Sequence, residues 1–78
     1  MTRKDYVALA GALNRTLSYA HERENDEAAI GVENAACAVG DVLATDNPRF
    51  DRDRWADAVT KGVPVLSLRW ERFLRGQS

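Results

Sequence analysis

Asp46-Asn47-Pro48-Arg49-Phe50-Asp51-Arg52-Asp53-Arg54-Trp55 is the stretch whose reading decides the fold. A residue before proline is pushed out of the helical region, so Asn47 ends whatever helix precedes Pro48. Asp51 has the short acceptor side chain of an N-cap. Phe50 just outside that cap and Trp55 one turn inside it have the spacing of a hydrophobic staple. The stretch reads as a structural joint between two helices, with Pro48, Phe50, Asp51 and Trp55 as its parts. Asp51, Asp53 and Asp57 do not make a calcium loop, because neither the glycine at its sixth position nor the distal bidentate glutamate is present.

Outward from the joint, the apolar spacing is helical. Thr2 and Asp5 have the form of a capping box, and Tyr6, Leu9, Ala10, Leu13, Leu17 and Ala20 then recur at steps of three and four. This predicts a first helix over about 3–23, in which Gly11, costing about 1 kcal/mol relative to alanine, is read as a close helix approach. Asn25 and Asp26 are cap candidates for a second helix over about 27–44. Its stripe is Ala29, Val32, Ala36, Val39 and Leu43, with Ile30, Ala35, Cys37 and Val42 widening it and Glu27, Glu33 and Asp41 marking a wet face. So many small residues place this helix centrally. The third helix, about 52–61, turns Trp55, Ala58 and Val59 inward, and Gly62 suits a left-handed residue beyond its end.

The tail admits two readings at residues 63–66. Pro64 can open a first helical turn, or Val63 and Val65 can form an extended piece before a helix begins at Ser67. A short C-terminal helix over about 66–75 is expected, with Leu66, Trp70, Phe73 and Leu74 at helical spacing. The fold class is all-α: a small bundle of three main helices plus this short fourth one, in a single domain, 1–78.

Chains of 78 residues bury only about 60–65% of their unfolded surface, so a dimer would be one way to complete the core. A single cysteine, Cys37, allows no internal disulfide, and with the lone His21 it cannot make a structural zinc site. Uninterrupted apolar runs fall far short of the ~20 residues that span a bilayer, and the charged start leads into an amphipathic pattern instead of a signal-peptide core. A cytoplasmic protein without a membrane role is the expectation. Net charge is −1, but residues 1–48 hold four basic against eight acidic residues and residues 49–78 hold seven against four. The two halves can attract each other within or between copies, or the basic half can face a nucleic acid.

No catalytic constellation assembles. His21 suits a helix C-terminus or a surface hydrogen bond, Cys37 lies among small apolar residues as a buried hydrophobe, and the glycines form no phosphate-cradling loop. An enzyme is not expected, and no metal or cofactor is. The candidate interaction residues are Arg69, Trp70, Arg72, Phe73 and Arg75. In one reading the arginines form a cationic stripe with aromatics free to stack on nucleic acid. In the other the aromatics are core and the arginines are exposed or pair with the acidic half. A recognition helix carrying Arg49, Arg52 and Arg54 is disfavoured by its long proline-containing connection and by Asp51, Asp53 and Asp57, which repel phosphate.

Thr2-Arg3-Lys4-Asp5-Tyr6 with Leu9-Ala10, together with Asp46-Asn47-Pro48-Arg49-Phe50-Asp51-Arg52 and an aromatic at Trp55, resembles a group of short proteins encoded by bacteriophages of actinobacteria, including mycobacteriophages. In that group two such blocks frame a helical middle of variable sequence. The resemblance covers the first ten residues and about 46–58. It departs at Trp55-Ala56-Asp57-Ala58, where the group often closes with Phe-Leu-x-x-Cys, and at residues 62–78, which extend beyond it. The resemblance implies a phage accessory product made in the host cytoplasm, and it carries over no functional residue. The expected function is non-enzymatic, acting by binding a host or phage protein. The alternative is nucleic-acid binding through the basic C-terminal third, and a homo-oligomer is a further partner expectation.

Overall fold

The computed structural model describes residues 2–76, which form four helices. Helix α1, Arg3–Glu22, starts on the expected capping box: the Thr2 hydroxyl accepts from the Asp5 N–H at 3.4 Å, and the Asp5 carboxylate accepts from the Thr2 N–H at 3.0 Å. It ends in a Schellman turn, with the Glu24 N–H donating to the His21 carbonyl and Asn25 to that of Ala20. Glu24 takes the left-handed conformation there, φ 54°, a position that glycine usually fills. The inner seam runs Tyr6, Ala10, Leu13, Leu17, Ala20. Leu9, expected on it, lies one position off and is exposed.

Helix α2, Asp26–Asp46, is capped by Asn25, and Asn47 ends it in an extended conformation before Pro48. It packs against all three other helices, the central place its small residues predicted. The seam is rotated from the expected one. Ala29, Ala36 and Leu43 are inside and Val32 packs against the core as predicted, but Glu33 and Gly40 complete the seam and Val39 is outside. Asp41, placed on the wet face by the sequence, is largely covered by its ion pairs. Gly40 is also the close-approach glycine in place of Gly11. A Cβ on Gly40 would lie 2.5 Å from the Phe73 ring and 2.8 Å from Trp55 Nε1, whereas one on Gly11 would meet only the Arg15 side chain at 3.5 Å.

Helix α3, Arg52–Val59, begins as the joint predicts. The Asp51 carboxylate accepts from the Arg54 N–H, and the Phe50 and Trp55 rings meet at 5.7 Å. Buried positions are Trp55, Ala56 and Val59, so Ala56 and not the expected Ala58 faces the core. The helix stops two residues early. The Asn14 side chain of α1 donates to the Val59 and Lys61 carbonyls at 2.8 and 2.9 Å, satisfying acceptors that a helix end leaves open. Gly62 then turns the chain at φ 76°.

Helix α4, Arg69–Leu74, is shorter than the expected 66–75, and residues 64–67 belong to no helix. Side chains from α2 explain this. The Leu66 N–H donates to both Glu33 oxygens at 3.2 Å, and the Ser67 hydroxyl is hydrogen-bonded to Asn34 while accepting from the Arg69 N–H. Donors that a helical first turn would leave free are taken by these groups. Trp70 and Phe73 are buried edge to face at 5.4 Å, while Leu74, which shares their helical spacing, is exposed.

Candidate functional site

Two carboxylates on the inner side of α2 hold the C-terminal half in place. Glu33, fully buried, accepts from the Leu66 N–H and from Trp70 Nε1 at 3.0 Å. Asp41 takes Arg52 Nη1 on one oxygen at 2.7 Å and Arg69 Nη2 on the other at 3.1 Å. Arg52 also donates to the Phe73 carbonyl at 2.8 Å and lies 4.8 Å over the Phe73 ring. The acidic and basic halves of the sequence thus meet inside one chain. Paired charges only a quarter exposed or less, with extra hydrogen bonds, hold geometry better than surface pairs do.

This arrangement divides the predicted interaction set. Trp70 and Phe73 are core, so neither ring is available for stacking on a base. Arg69 is turned inward to Asp41, and only Arg72 and Arg75 face outward. Arg52, weighed for a recognition helix that the sequence disfavours, is likewise held by Asp41 and Phe73. The joint residues Phe50, Asp51 and Trp55 keep their structural places. The Phe50 ring also meets Tyr6 edge to face at 5.4 Å, which ties the joint to the start of α1.

Cys37 is buried as expected, and burial pushes its thiol pKa up, with the nearby Arg69 guanidinium offsetting part of that rise. His21 lies in the last turn of α1, where positive charge suits the dipole. Its Nε2 is buried without a hydrogen-bond partner, so at that atom the expected surface hydrogen bond is not made. Among the described residues no three His, Cys, Asp or Glu side chains gather as metal ligands.

The outward side of α2 is a different kind of surface. Ala28, Gly31, Ala35, Ala38, Val42 and Thr45 recur there at alternating steps of three and four and are all exposed, Val42 at 67%. Ile30 and Val39 flank them, both more than a third exposed. The most apolar 18 residues of α2 are only 33% buried, although by length and composition the helix would reach across a bilayer. The Ser67–Asn34 hydrogen bond brings the tail against this side, and the neighbouring Leu68 is 82% exposed. Sequence periodicity missed this face because small and β-branched residues surround α2, so no single stripe stood out as inner. The separate heptad-like run 28-31-35-38-42-45 was the signal that could have found it.

A cleft of about 1010 Å³ lies between α1 and α3. Tyr6, Val7 and Phe50 give it apolar walls, and Arg3, Arg49, Arg54 and Lys61 contribute to its rim. No protein-family model, curated protein or solved structure matches this chain.

Proposed function

We propose that this chain is a non-enzymatic interaction protein, a phage accessory product acting in the host cytoplasm, and that the outward face of α2 receives a host or phage protein. The observation that carries this reading is the exposure of the chain's most apolar helix along its length, with Ile30, Val39, Val42 and Leu68 adding apolar bulk beside the small residues. Contiguous apolar surface of this kind marks sites of association. Small side chains let a partner helix approach closely, with the larger ones packing at its flanks.

Charge favours a partner other than a second copy. The face carries Glu27 at one end and Asp46 at the other, both exposed. A second copy laid along it, parallel or antiparallel, sets carboxylates against carboxylates. A partner helix with basic residues at both ends removes that repulsion.

The test is affinity capture from an actinobacterial lysate, with and without nuclease, using the wild-type chain and Val42→Glu. Capture of a specific protein that survives nuclease and is lost with Val42→Glu, at unchanged melting temperature, is the expected result. Capture that disappears with nuclease overturns the reading, as does capture indifferent to the substitution.

A further inference from the structure

The α1–α3 cleft stands apart from the α2 face and has its own chemistry. Four cationic side chains, Arg3, Arg49, Arg54 and Lys61, line it against two carboxylates, Asp51 and Asp57. Asp51 is already engaged: one oxygen caps the Arg54 N–H at 3.1 Å and the other lies 3.8 Å from Arg54 Nε. Among the described residues Arg3, Arg49 and Lys61 form no ion pair. Between these charges the walls are apolar, with Tyr6 and Phe50 half-buried and Val7 exposed. The Tyr6 phenol oxygen accepts from Asn47 Nδ2 at 3.3 Å, and among the described residues its own proton is donated to nothing.

We propose that this cleft is a docking site for a short acidic peptide segment carrying an apolar side chain. The carboxylates of such a segment meet Arg3, Arg49 and Lys61, the phenol proton of Tyr6 is available to one of them, and the apolar side chain covers Val7 and Phe50. The charge pattern selects a peptide over a nucleic acid. Separate carboxylates can be set against separate cations, whereas a continuous phosphate backbone would have to pass Asp57 and Asp51. Stacking has little to work with, because the rings are spent on one another: Tyr6 meets Phe50 edge to face at 81°, and Phe50 leans on Trp55.

The experiment is fluorescence anisotropy of the full chain with a short labelled peptide alternating glutamate and leucine. Comparison probes are a lysine–leucine peptide, a glutamate–serine peptide and a single-stranded oligonucleotide of equal charge. The glutamate–leucine peptide is expected to bind tightest and to weaken as salt rises. Arg3→Glu with Arg49→Glu is expected to weaken it at least about tenfold, the order that reversing two rim charges produces. Both side chains are exposed, so the melting temperature should hold, and Lys61→Glu gives an independent third rim change. Val42→Glu, on the other face, is expected to leave this binding unchanged. The proposal is overturned if the oligonucleotide or either other peptide binds as tightly. Glutamate–leucine binding that is absent, or that is indifferent to the rim variants, overturns it equally.

Discussion

Gly40 sits where two aromatic side chains converge on α2, with the Phe73 ring and Trp55 Nε1 both inside the space a Cβ would need. Trp55 Nε1 is there because it donates to the Ala36 carbonyl at 2.9 Å, one turn before Gly40. Alanine would favour the helix by about 1 kcal/mol, but forcing a methyl against packed rings costs about 1–3 kcal/mol or more. Gly40→Ala is therefore expected to destabilise the fold by up to about 2 kcal/mol net in urea unfolding, where an exposed Gly31→Ala stabilises it. A second residue-scale expectation concerns Cys37. Burial raises its thiol above the ordinary value of 9.0, so the protonated form belongs to the native state. Its contribution to stability is complete at neutral pH and is lost as pH rises beyond about 9. Native protein at pH ~8 should resist alkylation that urea-unfolded protein undergoes readily. Rapid native labelling would contradict the burial of this thiol.

Among the elements, α4 depends most on its neighbours. A helix of six residues has little stability of its own, since nucleation is costly and few internal hydrogen bonds repay it. It is fixed by Trp70 and Phe73 in the core and by Glu33 holding the segment before it. Glu33→Leu would leave the Leu66 N–H and Trp70 Nε1 without their acceptor, each costing about 1–3 kcal/mol. The variant should lose about 2–5 kcal/mol in urea unfolding, and Glu33→Gln, which keeps one acceptor oxygen, distinctly less. Equal midpoints for wild type and Glu33→Leu would contradict this tether. The caps and the joint were legible in the sequence because their logic is local: Thr2 with Asp5, Asn25, and Phe50-Asp51 with Trp55 all lie within one turn of each other. The inner seam of α2 was not. Ala29, Ala36 and Leu43 fit two registers one position apart; Val32 still packs on the core, and the burial of Glu33 and of Gly40 in place of Val39 was set by partners distant in sequence. Trp70 gives Glu33 its place and Phe73 gives Gly40 its place, so an acidic residue and a glycine became core positions. The non-helical course of 64–66 follows from the same contact, which is why the sequence left it open.

At the scale of the whole molecule, α2 divides the chain's chemistry between two sides. Its inner side gathers the other helices, and Asp41 joins α3 to α4 through Arg52 and Arg69. The uneven charge of the two halves was plain in the sequence, but whether it closed within a chain or between chains depended on that one aspartate being turned inward. Its outer side is left apolar, and this is where the functional reading rests. The alternation of C-terminal arginines and aromatics allowed either a cationic, stacking surface or a core face with the arginines outside or paired. Packing separated them, sending Trp70 and Phe73 to the core and leaving only Arg72 and Arg75 outside. If the outer face of α2 carries association, binding should have the signature of apolar burial. The most direct measurement is calorimetric titration of the captured partner at several temperatures, with wild-type chain and with Val42→Glu. A negative heat-capacity change, and affinity at least about tenfold weaker in the variant, is the predicted result. A heat-capacity change near zero with affinity unaltered by Val42→Glu would contradict it.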